Sequence, residues 1–371
     1  MKFSVTSGEL QKSLASIGSV VPSKSALPIL ENFLFDLSNG ELKITATDME
    51  VSMIVAMPVK GAQKGKLAVP AKKLMDTMRA LPLTQVEFQA DTDNNKVEMK
   101  TDNGEYKLSG ESSENYPSVP DLEKGKGITI QNEALRRLIS KTSFAASTDE
   151  LRPAMTGILF QINDKEIRAV ATDGHRLVRV INSSFSTDSK PAEIIVPAKA
   201  LNLFERVLES ADSTMTFDET HAVFTTGSIT LVSKIIQEKY PNYESVLPLD
   251  NTKKLRVSRE QLLSSVKRTS LYASSTNHQV RFSLKKNSIT ISAEDIDFGS
   301  EAHETLTCDY SAEPMDIGFN SGYIVEVLSH LESAEVEFSL STPARAVTIK
   351  PETQPQGEDI LMLVMPVRLN A

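Results

Sequence analysis

The chain repeats itself three times, and this constrains its fold more than any other feature. The segment LKITATD at 42–48 returns as IRAVATD at 167–173 and as ITISAED at 289–295. Apolar residues alternate in each copy: Leu42, Ile44 and Ala46, then Ile167, Ala169 and Ala171, then Ile289, Ile291 and Ala293. Period two marks a half-buried strand. A second landmark heads each third. Val5-Thr6 precedes a helical pattern with Leu10 and Leu14, Ile130-Gln131 precedes Leu135 and Ile139, and Val257-Ser258 precedes Leu262 and Val266. Thr6 with Glu9 and Ser258 with Gln261 have capping-box spacing; Gln131 is a poorer cap. A third landmark is a strand running into a second helix: KLAVPAKKLMDTMRAL at 66–81, EIIVPAKALNLFERVL at 193–208 and, more loosely, MDIGFNSGYIVEVLSHL at 315–331. Tyr116-Pro117 and Tyr240-Pro241 form a fourth, without a clear third copy.

Four landmarks in one order, at a period near 124, predict three equivalent α+β domains over 1–124, 125–250 and 251–371. Glu123–Gly127 and Asp250–Lys254 read as linkers. Each domain holds two amphipathic helices and several short strands, and the helices bury one face most simply against a sheet. The period is too long for a solenoid of small repeats. Like domains in an arc, with head-to-tail contacts, close into a ring where the rotation allows it.

Composition bounds the function. The 371 residues are 40% hydrophobic and 24% charged, as in a soluble globular protein of two or three domains. No apolar run approaches the roughly 18–20 residues of a membrane span, and the N-terminus lacks the apolar core of a secretory signal. A single cysteine, Cys308, permits neither an intrachain disulfide nor a thiolate metal cluster, and fits a reducing cytosol. Forty Lys and Arg against 49 Asp and Glu give a net charge of −9. This excludes an overall basic coat for nucleic acid but leaves room for a local basic face.

Catalytic signatures are missing. Gly61-Ala-Gln-Lys-Gly-Lys66 is the nearest approach to a P-loop, with the wrong spacing and no Ser or Thr after the Lys. His303-Glu304 has no second His three residues on, and neither a G-x-S-x-G elbow nor a dinucleotide fingerprint occurs. The most enzyme-like string is ATDGHRL at 171–177, where Asp173 could orient His175 for hydrolysis. The Asp recurs as Asp48 and Asp295 without any His, which a repeated turn explains better. No catalytic residue, cofactor or metal is therefore assigned.

ATDGHRL at 171–177, YPNYESVLP at 240–248 and VMPVRL at 364–369 together resemble the bacterial DNA polymerase III β subunit, the replicative sliding clamp. MKFSV at the start, LPILENFLF at 27–35 and both VPAK strings also fit, so the resemblance covers the whole chain. It implies a head-to-tail homodimer whose six domains close a ring, with sheets outside and helices lining a hole around duplex DNA. It implies no catalysis. The ring tethers a polymerase, is placed by a separate ATP-driven clamp loader, and serves the polymerase III catalytic subunit, other DNA polymerases, ligase and mismatch-repair proteins through short linear motifs. No membrane enters this picture, and the setting is the cytoplasm. An alternative within the resemblance is a clamp paralogue, a specialised adaptor that does not support replication.

The resemblance also assigns residues. The partner-peptide pocket takes Met155, Thr172, Gly174, His175, Arg176 and Leu177, with Pro241, Val246, Val364, Met365, Pro366, Val367, Arg368 and Leu369. Apolar walls suit Leu and Phe anchors of an extended peptide, and Met adapts to different ligands. Met155 stands where Leu is common, and Asn370-Ala371 extend past the Leu at which some members end. For phosphate contacts the resemblance gives Lys24 and Arg152, in loops, while the positive charge of the helices themselves adds Lys72, Arg136, Arg137 and Lys199; Lys141 carries positive charge on the same central helix as Arg136 and Arg137. At the dimer interface, Tyr106 and Leu108 of an edge strand meet Leu271 and Tyr272. Lys73, Lys100 and Lys107 face the acidic cluster of Glu294, Asp295, Asp297, Glu301 and Glu304.

Overall fold

A computed structural model describes residues 1–120, 127–209 and 212–369. Most of the first expected linker and the Asn370-Ala371 extension lie outside the described residues.

The first third contains β1 (Lys2–Thr6), α1 (Ser7–Ile17), β2 (Asn32–Ser38), β3 (Glu41–Thr47), β4 (Val51–Pro58), β5 (Lys60–Gln63), β6 (Gly65–Pro70), α2 (Ala71–Ala80), β7 (Gln85–Asp91), β8 (Lys96–Thr101) and β9 (Gly104–Ser109). The central third runs through β10 (Ile128–Gln131), α3 (Asn132–Ser140), β11 (Gly157–Ile162), β12 (Ile167–Thr172), β13 (Arg176–Asn182), β14 (Ala192–Pro197), α4 (Ala198–Glu205), β15 (Asp212–Phe217), β16 (His221–Thr226) and β17 (Ile229–Lys234). The last holds β18 (Lys253–Ser258), α5 (Arg259–Thr269), β19 (Gln279–Lys285), β20 (Ser288–Asp295), β21 (Ser300–Thr307), β22 (Asp309–Tyr310), β23 (Met315–Asn320), α6 (Ser321–Ser329), β24 (Glu335–Leu340), β25 (Val347–Pro351) and β26 (Glu358–Val364).

The three repeated strands are β3, β12 and β20, and their alternating apolar residues are all buried. Each ends in the same turn. The Asp48 carboxylate accepts from the N–H groups of Glu50 and Val51, Asp173 from those of His175 and Arg176, and Asp295 from those of Asp297 and Phe298. The Asp is thus a turn former in all three copies. Thr6 and Glu9 close a full capping box on α1, and Ser258 accepts from Gln261 at the start of α5. The strand β18 begins at Lys253, inside the expected linker Asp250–Lys254. Lys253 and Lys254 already pair with Leu340 and Ser339, and Asn251 anchors the approach by donating to Ser339 O and Ala346 O.

The chain forms two compact units: Met1–Leu135 with Lys199–Ile235, and Arg136–Ala198 with Ile236–Ala371. The division runs through the central third, because its strands join two different sheets. In the first unit the sheets are β5-β1-β7-β8-β9 and β10-β15-β16-β17-β4-β3-β2-β6. In the second they are β14-β11-β12-β13-β26-β25-β24-β18-β22 and β21-β20-β19-β23.

These orders resolve into one plan. Every third has a leading set of four strands (β4-β3-β2-β6, β13-β12-β11-β14, β21-β20-β19-β23) and a trailing set (β1-β7-β8-β9, β10-β15-β16-β17, β18-β24-β25-β26). The last strand of a trailing set pairs antiparallel with the outer strand of the preceding third's leading set: β17 with β4 and β26 with β13. Two edges of these kinds end their sheets: β9, which closes a trailing set, and β21, which opens a leading one.

Cores repeat as well. Phe3, Phe35 and Phe88 pack together in the first third, with ring centroids 4.8–6.4 Å apart. Phe282, Phe319 and Phe338 do so in the last, at 5.2–6.4 Å. All six rings are essentially fully buried, and such rings dominate core energetics.

In the second unit an ion-pair network ties α3 to the last third. The Arg137 guanidinium grips the buried Glu358 carboxylate through two bonds of 2.6 Å and reaches Glu332 at 2.9 Å. Lys141 donates to Glu332 at 2.5 Å and to His330 O at 2.8 Å. Hydrogen bonds from Arg137 and Lys141 pull the Glu332 carboxyl from its ordinary 4.5 down to about 2. A depressed carboxylate stabilises the fold above its unfolded pKa. That contribution is lost as pH falls toward 2. Removing one partner of a buried pair leaves the other uncompensated. Glu358→Gln is accordingly expected to lower the unfolding free energy by about 3 kcal/mol, read from the midpoint of urea denaturation; an unchanged midpoint contradicts the role given to this pair.

Candidate functional site

The residues assigned to the peptide pocket come from distant parts of the sequence, and the second unit brings them together. Register pairs Arg176 with Val364 and Leu177 with Leu363 across β13 and β26. Leu177 and Leu363 belong to one buried apolar cluster with Ala154, Leu159, Val170, Ile195, Tyr240 and Tyr243. Met155 follows Ala154 and is half-buried, while Pro241 and Val246 flank Tyr243 on the exposed side. Beyond β26 the chain continues from the His175 loop to the edge of β23. Met365 N–H donates to His175 O at 2.8 Å, and Val367 N–H donates to Gly318 O at 2.9 Å. Gly318 is required here, since a Cβ would stand 2.8 Å from both Leu369 Cδ2 and Val367 O. Met365 and Val246 remain exposed, at 38% and 52%. The exposed Met365 and Val246 thus lie next in sequence to residues that pack in or against the second unit's buried strands and cluster.

The loop between β12 and β13 forms the polar side. Thr172 Oγ1 donates to Arg176 O at 2.6 Å and accepts from Gly174 N–H at 3.1 Å. Gly174 has φ +91, a conformation that L side chains rarely adopt. The His175 ring lies over Tyr323, with centroids 6.1 Å apart. Both Asp173 oxygens are engaged, one by two backbone N–H groups and the other by Arg176 Nε at 3.1 Å. That carboxylate shapes the turn and is not held by the His175 imidazole, which removes the geometric basis for a hydrolytic pair.

Arg176, assigned to the pocket by the resemblance, is 7% exposed and bonded within the unit. One expectation needs correction. Arg137, expected to meet phosphate, is bound by Glu358 and Glu332, and Lys141 is buried against Glu332. Arg152 donates to Asp149 and, at 3.2 Å, to Asp173 O, so it borders the Gly174 loop. Of the remaining basic residues, Lys24, Lys72 and Arg136 have exposed side chains. Lys199, also exposed, pairs with Asp48.

At the expected interface, Tyr106 and Leu108 lie two apart on the edge strand β9 and are half-buried on one face. Leu271 and Tyr272 follow α5 in a 3-10 turn, 80% and 45% exposed. Lys73 is exposed on α2. Lys100 and Lys107 pair with Glu98, Lys107 also with Glu105, and Glu304 pairs with Arg268. Sequence reasoning did not single out Tyr323, Phe144 or Glu326, which border Arg176; no periodicity or motif marks them.

Tandem α+β repeats, joined edge to edge by their sheets, define a class of proteins. Family models for the N-terminal, central and C-terminal domains of the DNA polymerase III beta subunit match residues 1–120, 129–242 and 244–368. Curated proteins named "Beta sliding clamp" are similar over the whole length of both chains: that of Pseudomonas aeruginosa is 30% identical and that of Escherichia coli 28%. The solved DNA polymerase III subunit beta of Pseudomonas aeruginosa, 29% identical, superimposes with a TM-score of 0.94 over all of both chains. A sliding clamp from Bartonella birtlesii bound to griselimycin, also 29% identical, gives 0.93 over all of both chains. The chain belongs to the DNA polymerase III beta subunit family.

Proposed function

We infer that the chain acts as a DNA sliding clamp: two copies join head to tail in a closed ring of six domains, 1–124, 125–250 and 251–371 from each. The ring encloses duplex DNA, catalyses nothing, and holds partner proteins to the template. The pairing plan is the single observation that best supports closure. Within the chain, trailing sets join leading sets at β17–β4 and β26–β13, and the same rule extended to a second copy pairs β9 with the copy's β21. An unpaired edge invites such a strand, and a heterologous contact repeated around an axis closes when the rotation fits. Tyr106, Leu108, Leu271 and Tyr272 would then bury their apolar surface, with Lys73 at the rim.

DNA needs no tight grip in such a ring. Lys24, Lys72, Arg136 and Lys199 supply sequence-blind attraction to phosphate, while the net charge of −9 discourages nonspecific coating. Among the described residues no helix is long and apolar enough to cross a membrane; work on the chromosome sets the protein in the cytoplasm. The converging face of Met155, Thr172, Gly174, His175 and Leu177 with Pro241, Val246 and Val364–Leu369 takes a short extended peptide from the polymerase III catalytic subunit, the clamp loader, other polymerases, ligase or mismatch-repair proteins. Full-length similarity to proteins named as sliding clamps favours this over the adaptor paralogue. Sedimentation at micromolar concentration, with negative-stain imaging, tests the ring: twice the chain mass and a central opening are expected, and a monomer contradicts it.

A further inference from the structure

The polar side of the peptide face hangs on one buried cation. Arg176 opens β13 immediately after the loop that carries Thr172, Gly174 and His175. Its guanidinium donates to three different elements. Nε meets Asp173 in its own loop, one terminal nitrogen meets the Glu326 carboxylate on α6, and the other donates to Phe144 O at 2.6 Å, in the turn after α3. The guanidinium carbon also lies 4.8 Å from the Tyr323 ring centroid and 5.4 Å from that of Phe144. A buried cation is costly unless paired and hydrogen-bonded. Here a carboxylate on each side and two aromatic rings meet that requirement.

The anchors are themselves held. The Phe144 ring stacks on His330 with centroids 3.9 Å apart, and His330, at the C-terminal end of α6, contacts Glu326 O through Nδ1 at 2.8 Å. Glu326 and His330 are one helical turn apart, so α6 presents both to Arg176 and its Phe144 neighbour. The backbone on either side of Arg176 carries the site: His175 O receives Met365 N–H, and Arg176 O receives Thr172 Oγ1. A shift of Arg176 therefore moves the Gly174 loop and the Met365 segment together.

We propose that Glu326 is a positioning residue for peptide binding. It holds Arg176, and through it the His175 and Met365 rim, in the binding geometry without itself contacting the peptide. The proposal rests on the peptide-docking reading above. It makes affinity depend on α6 of the last third as well as on the loop of the central third, and it gives Arg176 a bracing role in place of a contacting one.

The test uses the full chain and a fluorescein-labelled QLSLF peptide in an anisotropy titration. Glu326→Gln keeps the shape and removes the charge; it is expected to weaken binding about tenfold. Arg176→Met should weaken it by a similar or larger factor, and adding Glu326→Gln to Arg176→Met should cost little more, since the brace is already gone. Glu332→Gln is the control for general loosening. It cuts the neighbouring ion pairs with Arg137 and Lys141 and should lower the melting temperature while leaving affinity unchanged. Wild-type affinity in Glu326→Gln overturns the proposal, as do equal losses in Glu326→Gln and Glu332→Gln, or full additivity with Arg176→Met. If the wild-type chain fails to bind the peptide, the docking reading itself is wrong and the proposal goes with it.

Discussion

Deletion of residues 365–371 is expected to weaken binding of a QLSLF peptide by about 100-fold and to leave the dimer intact. The segment supplies Met365, Pro366, Val367 and Leu369, which follow β26 and run along the edge of β23, held there by the Val367–Gly318 bridge. Two apolar anchors that lose their wall forfeit about 1.5 kcal/mol each at the lower end of the usual range, and about 3 kcal/mol is two decades in affinity. The floor beneath, Leu177 and Leu363 among it, stays packed because β26 ends at Val364. The edges β9 and β21 are untouched. Retained affinity in an anisotropy titration would show that the face is assigned wrongly; loss of both affinity and dimer would show that the deletion damages the unit as a whole.

The second large effect concerns the interface. Leu108→Ala combined with Leu271→Ala is expected to convert the dimer to monomers at micromolar concentration. Leu271 is 80% exposed in the single chain and Leu108 is half-buried on an edge strand, so neither does much for the fold of one chain. Each leucine loses up to about 1.5–3 kcal/mol of burial on truncation, and a ring with two identical interfaces loses it twice. The variant should keep the melting behaviour of the single chain. An unchanged sedimentation coefficient refutes the assignment of these residues.

Much of this architecture was legible in the sequence because repetition amplifies weak signals. One alternating strand of seven residues means little, but three copies ending in Asp48, Asp173 and Asp295 fix both a strand and a turn. The capping pair Thr6–Glu9 and the buried Leu10, Leu135 and Leu262 were readable in the same way. What could not be read was where long-range partners lie. Arg137 on an amphipathic helix looks the same whether it faces solvent or a carboxylate 221 positions later. Arg176 sits in a string that resembles a ligand site, yet its burial depends on Glu326, 150 positions away in another repeat. The same holds for Glu304, which Arg268 neutralises from the adjacent helix. Nor does periodicity tell that β17 and β26 cross to the sheet of a neighbouring third, since a strand's pattern records which face is buried and not which edge is paired.

Attachment by enclosure makes a demand that adhesion does not. The chain, loaded onto nicked circular DNA by a clamp loader and freed of unbound protein by gel filtration, should stay with the DNA for many minutes in salt that screens phosphate contacts. Cutting the circle once with a restriction enzyme should release it, because the ring then slides off the ends. Equal retention on circular and linear DNA, or equal loss from both as salt rises, would contradict enclosure.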